Sequence, residues 1–94
     1  MVKREILSAT GSLMLVKVQL SKGFKGDVDQ HLEEQISYIE QGSVEFEVGG
    51  VARLLEKGES IYIPSNVEHR VYVLEECTIL DVFTPLRKDL LKDG

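Results

Sequence analysis

Residues 44–50 read VEFEVGG, and this stretch decides what kind of fold the chain can adopt. Two valines and a phenylalanine alternate with two glutamates, which is typical of a strand with one buried face and one solvated face. The two glycines that follow can take the positive φ angles of a tight hairpin turn. The stretch therefore predicts a β-hairpin whose second strand covers residues 51–55.

Short apolar segments on both sides of this hairpin have the same character. They cover residues 13–20, 36–39, 61–63, 71–73 and 78–83, and turns are expected at residues 21–23, 41–42 and 57–59. Strands at this spacing predict an all-β sandwich or barrel. No linker or repeat divides the chain, so we expect one domain, 1–94, with a barrel core at about 13–87. Only the tail, residues 86–92, favours a helical turn or two.

The amino-acid composition limits the classes of partner that the chain is expected to bind. Lys and Arg total 11 and Asp and Glu total 16, giving a net charge of −5. An acidic chain repels phosphate backbones, and its apolar runs are far shorter than the roughly 20 residues that span a bilayer, so neither nucleic acid nor membrane is expected. A lone Cys77 and an N-terminus without an apolar signal core fit a reducing cytoplasm. A barrel this small has little core, which favours a homodimer.

Polar side chains around the two histidines indicate a binding site. Asp29, His31 and Gln35 share parity along the chain, so an extended backbone would point all three to one side, and His69 could join them from another strand. Nitrogen and oxygen ligands of this kind suit a divalent transition metal, and they do not select among Mn, Fe, Co, Ni, Cu and Zn. The alternatives are a metal-free pocket, or surface residues beside a turn.

The spacing of these residues resembles the two motifs of the cupin superfamily. The first motif reads Gly23-x5-Asp29-x-His31-x3-Gln35-x6-Gly42, and the second reads Gly58-x5-Pro64-x4-His69-x3-Val73. The chain departs from the family pattern at three positions, where Asp29 replaces a histidine, Gln35 a glutamate and Val73 an asparagine. The resemblance implies a double-stranded β-helix, or jelly-roll barrel, with a metal held by the side chains at 29, 31, 35 and 69.

A second polar cluster lies near the C-terminus. Asp81 interrupts an apolar run and shares one strand face with Phe83, and Arg87 follows four residues later. A carboxylate that faces a barrel interior costs free energy unless it is hydrogen-bonded or takes part in function. Asp81 is therefore a candidate general acid or base. Phe83 could form an apolar wall against a sugar ring, and Arg87 could bind a substrate carboxylate. Alternatively, Asp81 lies exposed at the barrel mouth and Arg87 is a surface charge on the tail.

The order Asp-x-Phe-Thr-Pro-x-Arg over residues 81–87, together with Gln35, resembles small cupins of pectin and uronate degradation. The resemblance implies a small carboxylated sugar as substrate and the opening of 4,5-unsaturated uronate rings to linear keto acids. It also implies that Asp81, Phe83 and Arg87 are active-site residues. Two other functions stay open. One is an Fe(II) dioxygenase using His31, His69 and Asp29, and the other is a cupin that binds a sugar or another small molecule without catalysis.

Overall fold

A computed structural model describes residues 2–91, and most of that length is β-strand. The strands are β1 (Val2–Thr10), β2 (Leu13–Leu20), β3 (Glu34–Val48), β4 (Val51–Glu56), β5 (Ser60–Ile63) and β6 (His69–Thr84). A short 3-10 helix at Lys88–Leu91 lies within the tail where helical turns were expected, and Lys92 is outside the described residues. Within residues 2–91, no helix is both long enough and apolar enough to cross a membrane.

The strands form one antiparallel sheet in the order β1-β2-β6-β3-β4, and β5 pairs with β3. The first part of β3 pairs with β5 and its second part with β4, while β6 pairs with β3 along nearly its whole length. The predicted all-β jelly-roll fold is confirmed. However, the segments expected as separate strands at 36–39 and 44–48 are one strand, and so are those at 71–73 and 78–83.

The hairpin that the first stretch predicted joins β3 to β4. Val48 pairs with Val51 across the turn, and Gly49 and Gly50 have φ angles of 57° and 84°. Val44 and Phe46 are buried, while Glu45 between them is exposed. The alternation in the sequence therefore reports the two faces of this strand correctly, because successive side chains of a strand point to opposite sides.

Residues 41–42 form a bulge inside β3, so the prediction of a turn there is wrong. The register between β3 and β6 shifts between Ile39 and Val44. Gly42 has a φ of 87°, and a Cβ added to it would lie 2.7 Å from the Cα of Cys77. Glycine is required here both by the backbone conformation and by the close approach of β6. The bulge bends a long strand without ending it.

The bend explains how distant parts of the two long strands meet. His69, at the start of β6, pairs with Val48, which lies 13 positions after Gln35 along β3. A straight strand would hold those two β3 positions roughly 40 Å apart. Yet Gln35 and His69 line the same cavity. Strand β3 therefore folds back at the bulge, and both of its ends reach the same rim of the barrel.

The side chains inside the barrel change from polar at that rim to apolar at the bulge. We call the end around Gln35, Ser37, His69 and Asp81 the mouth, and the end near the bulge the base. The base is filled by buried apolar side chains, among them Ile39, Val44, Leu55, Val73 and Cys77. The base supplies hydrophobic stabilisation, and the mouth carries the polar groups.

Strand β1 lies outside the barrel core that the sequence analysis expected at about 13–87. It extends the sheet by pairing with β2 from Val2↔Leu20 to Thr10↔Leu13, with one register shift near Ile6. All nine of its residues are exposed, so its sequence shows no clear alternation of buried and solvated positions. That is why periodicity did not predict this strand.

Candidate metal centre and active site

The site begins in the segment between β2 and β3, which is not a regular strand. Asp29 forms an isolated antiparallel bridge with His69, in which each backbone N–H donates to the other's carbonyl at 2.8 and 2.9 Å. His31 lies in a loop and accepts a hydrogen bond on its carbonyl from the Asn66 N–H at 2.8 Å. The expectation that Asp29, His31 and Gln35 share one extended strand is therefore wrong, because only Gln35 belongs to β3.

The side chains nevertheless come together. Ligand atoms of Asp29, His31 and His69 all lie within 4.8 Å of one another. The two imidazole rings meet edge to face with centroids 4.9 Å apart. The Gln35 Oε1 lies 3.1 Å from the His31 Nε2. The loop and two strands thus bring two imidazoles, a carboxylate and an amide oxygen to one point.

Backbone carbonyls determine which nitrogen of each imidazole is available. The His31 Nδ1 lies 2.9 Å from the Glu33 carbonyl oxygen, and the His69 Nδ1 lies 3.0 Å from the Val67 carbonyl oxygen. A carbonyl oxygen can only accept, so both Nδ1 atoms donate. In a neutral imidazole the Nε2 atom then carries the lone pair, which is the arrangement common for histidine ligands of metals.

The orientation of the Gln35 amide is also determined by its neighbours. Its Nε2 donates to the Ser37 hydroxyl at 2.8 Å and to the Asp81 carboxylate at 3.3 Å. Its Oε1 then faces the His31 Nε2 at 3.1 Å, and when the imidazole is neutral both of these atoms are acceptors. Such a contact is relieved by protonation of His31 or by a cation bound between the acceptors. The donor set consequently fits a bound metal ion.

Asp81 lies beside this cluster on the inner face of β6. The Ser37 hydroxyl donates to its carboxylate at 2.5 Å. Burial raises the pKa of Asp81 from 3.8 to about 6, although hydrogen bonds from Ser37 and Gln35 and the charges of Arg4 and His69 lower it. A carboxyl with such a pKa can both accept and donate a proton near neutral pH.

Phe83 and Arg87 occupy the other side of His31. Phe83 is 3% exposed, and its ring centroid lies 5.7 Å from that of His31. The Arg87 guanidinium stacks over the Phe83 ring at 5.1 Å and forms a bidentate pair with Asp89, with N–O distances of 2.6 and 3.1 Å. It also lies 3.9 Å from the carboxylate of Asp29. In this conformation Phe83 packs against His31, and the Arg87 guanidinium donates its hydrogen bonds to Asp89.

A cavity of about 330 Å³ opens at the mouth, which is within the usual size range of small-molecule sites. Asp29, Gln35, His69 and Asp81 contribute polar groups to its lining. Val18, Phe46 and Ile79 are among the apolar residues of the lining. The cavity therefore offers apolar walls together with a concentrated polar surface.

Two residues of the site were missed by the sequence analysis. Ser37 follows Gln35 by two positions on β3, so its parity could have placed it on the same face. Arg4 also lines the cavity, but it belongs to β1, which showed no periodic signal. Only the pairing of β1 with β2 brings Arg4 to the mouth.

Comparison with known proteins gives a family match over most of the chain. Residues 16–83 match the Cupin domain family. The chain is 37% identical over 92 residues to the pectin degradation protein KdgF of Dickeya dadantii, covering 96% of this chain and 84% of the relative. An identity of 37% over nearly the whole chain is higher than a shared fold alone requires.

Two solved structures are similar along nearly the whole chain. KdgF from a Halomonas species superposes with a TM-score of 0.91 at 34% identity, covering 95% of this chain and 83% of that one. An RmlC-like cupin from Shewanella frigidimarina superposes with a TM-score of 0.90 at 34% identity, covering 95% and 80%. The backbone fold of the barrel is therefore shared with these proteins.

Proposed function

The chain belongs to the cupin family, and from that premise we propose that it opens the ring of 4,5-unsaturated uronates to give linear keto acids. The substrate class is supported by 37% identity to a pectin degradation protein. The observation that carries the proposal is the hydrogen-bonded chain from Gln35 through Ser37 to Asp81, because it joins a candidate proton carrier to the acceptor cluster in one cavity.

In this proposal a divalent transition metal is held by Asp29, His31, Gln35 and His69. The support is the set of lone pairs that converge without a donor between the His31 Nε2 and the Gln35 Oε1. Any of Mn, Fe, Co, Ni, Cu or Zn is compatible with nitrogen and oxygen ligands. Such an ion supplies Lewis-acid polarisation and orientation of substrate oxygens.

The proposed reaction is an isomerisation, so it needs no oxidant or reductant. A proton leaves the C1 hydroxyl as the bond between C1 and the ring oxygen breaks, which leaves an aldehyde at C1 and an enol oxygen at C5. A proton added at C4 then gives the C5 ketone. Asp81 is the residue that removes the first proton and supplies the second. Ser37 and Gln35 donate hydrogen bonds that orient its carboxylate.

The remaining predicted site residues have supporting roles in this proposal. Phe83 packs edge to face against His31 and limits the orientations of its imidazole. Arg87 lies 3.9 Å from carboxylate oxygens of both Asp29 and Glu33, so its positive charge attracts both carboxylates and helps to hold Asp29 in position. A direct role of Phe83 or Arg87 toward a sugar ring stays a prediction.

The test follows the loss of alkene absorbance from 4,5-unsaturated galacturonate. We expect chelator-treated protein reloaded with one of the six metals to accelerate this loss. We expect Asp81→Asn to lower the protein-dependent rate by at least about a hundredfold, because the proton carrier is lost. The matched control is Glu45→Gln, which also replaces a carboxylate by an amide but at an exposed residue of β3 outside the cavity, and it should retain the wild-type rate.

The outcomes separate the alternatives. Wild-type protein that accelerates the reaction with none of the six metals overturns the ring-opening proposal. Sugar-induced thermal shifts without any turnover would instead support a binding protein. Asp29→Ala should reduce the amount of bound metal after reloading, since it removes one of the converging ligands.

One observation also favours a second candidate function. Asp29, His31 and His69 form a set of two histidines and one carboxylate, which is the ligand set of many non-haem iron oxygenases. Oxygen uptake by the Fe(II)-loaded protein in the presence of a substrate would support this alternative. Ring opening proceeds without oxygen, so an anaerobic assay distinguishes the two reactions.

A further inference from the structure

The cavity lining includes two cationic side chains, Arg4 and Arg70, that the proposed reaction has not used. Arg4 on β1 lines the cavity together with Gln35, His69 and Asp81. Its strand partner is Val18 on β2, whose side chain is buried in the core. Partners directly opposite in a sheet project to the same face, so Arg4 points toward the interior side of β1. Its neighbour Lys3 points to the outer side.

The other arginines near the mouth are held by acidic side chains. Arg87 is paired with Asp89 at 2.6 Å and does not line the cavity. Arg70 lines it, but the Arg70 Nε lies 4.0 Å from the Glu47 carboxylate. Among residues 2–91, no carboxylate oxygen lies within 4.0 Å of the Arg4 guanidinium nitrogens. Among residues 2–91, Arg4 is therefore the cavity arginine that has no acidic partner within 4.0 Å.

The rest of the cavity is unfavourable for an anion. Asp27, Asp29 and Asp81 all line it, and each would repel a carboxylate unless a cation lies nearby. A sugar acid entering this cavity has its most favourable carboxylate position beside Arg4.

We propose that Arg4 binds the carboxylate of the substrate, and that this contact selects small sugar acids over neutral sugars at the mouth. The inference rests on the proposed function for the class of substrate. The planar guanidinium matches a carboxylate with two parallel N–H···O bonds, so it fixes orientation as well as charge. An acid held there lies between β1 and Asp81, with its ring over the apolar lining of Val18 and Ile79.

The test measures binding of saturated D-galacturonate, which cannot undergo the reaction, and of its neutral methyl ester by calorimetry. We expect Arg4→Gln to weaken galacturonate binding by about tenfold or more, because a charge-assisted pair is lost. Arg4→Lys should recover part of the affinity, and the ester should bind all three proteins equally. With unsaturated galacturonate, Arg4→Gln should raise KM more than it lowers kcat.

The matched control is Lys3→Gln, which makes the same change in net charge on the outer side of the same strand and should bind as wild type does. Unchanged galacturonate affinity in Arg4→Gln, with a loss in Arg87→Gln, overturns the inference and assigns the carboxylate to Arg87. Equal affinity of the wild type for the acid and the ester also overturns it. Arg4-dependent binding of galacturonate without turnover supports the inference while refuting ring opening, so the two failures are distinguishable.

Discussion

The base and the mouth of the barrel are built from the same two long strands, yet opposite chemistry fills them. At the base, Val44 and Val73 face each other across β3 and β6 and are fully buried. At the mouth, the equivalent inward pair is Ser37 and Asp81, joined by a hydrogen bond of 2.5 Å. Strands β3 and β6 therefore pair in the same way whether apolar or polar side chains face the barrel interior.

The base and the mouth contribute differently to the free energy of folding. Apolar burial at the base stabilises the fold at about 25 cal/mol per Å². Polar groups at the mouth offer no such gain, and each must find a hydrogen-bond partner to avoid a desolvation cost. In the described part of the chain, every buried side-chain nitrogen and oxygen has one. The mouth is thus organised for chemistry, and the base for stability.

Gly42→Ala is the substitution expected to have the largest effect, because it disrupts the bend that joins base and mouth. The new Cβ would meet the backbone of β6 at Cys77, and the φ of 87° disfavours any side chain. We expect a loss of at least about 4 kcal/mol in the free energy of unfolding, measured by urea denaturation.

Gly50→Ala is its control, since Gly50 has a similar φ of 84° but a Cβ there would contact nothing. We expect about 1–2 kcal/mol from the backbone conformation alone. Equal losses in the two variants would mean that the close approach at the bulge does not determine the bend.

Leu55→Ala tests the base by itself. Leu55 on β4 is fully buried and pairs with Val44, so its truncation leaves a cavity in the apolar core. We expect a loss of about 3 kcal/mol in the free energy of unfolding without a change in galacturonate affinity. Leu54→Ala is the matched control, because Leu54 is 50% exposed and should change stability by less than about 0.5 kcal/mol. A loss of ligand affinity in Leu55→Ala would contradict the separation of base and mouth.

Asp81→Asn should raise the free energy of unfolding of the metal-free protein, by less than Leu55→Ala lowers it. The folded-state pKa of about 6 lies above the ordinary 3.8, so the native state binds the proton more tightly than the unfolded chain. Stability from this group is therefore present below pH 4 and is lost as the pH rises through 6. We expect Asp81→Asn to be more stable than wild type by about 2 kcal/mol at pH 7.5 and equally stable at pH 4.

Denaturation curves of both proteins across this pH range, recorded with a chelator present, check the prediction. A wild-type curve that gains stability from pH 4 to pH 7.5 relative to Asp81→Asn would contradict it. Ser37→Ala provides the control, because it removes a hydrogen bond that lowers the pKa of Asp81 and should enlarge the pH-dependent loss.

The sequence predicted the fold best where local pattern and tertiary burial agree. The alternation at residues 44–48 and the two glycines after it lead directly to the observed hairpin. The sequence predicts a turn at Gly42 where the structure has a bulge, because a glycine in an apolar run is equally compatible with both. Its role depends on how closely β6 approaches, and that is a property of long-range pairing.

The candidate site was predictable as a set of residues but not as an arrangement. Parity along an extended strand suggested that Asp29, His31 and Gln35 converge, and the structure brings them together through a loop instead. The tautomers of the histidines depend on the carbonyls of Glu33 and Val67, which no motif encodes. Backbone geometry in loops is set by tertiary contacts, so local sequence does not determine it.

The sequence by itself determined the β class, the hairpin and the residue types spaced for a polar site, because these depend on side-chain periodicity and turn chemistry over a few neighbouring residues. Tertiary structure alone decided that β3 folds back at Gly42, that Asp81 is partly buried and accepts a hydrogen bond from Ser37, and that Arg4 on an unpatterned strand lines the cavity. These outcomes depend on which distant backbones pair and what they exclude from water, and neither is a local property of the chain.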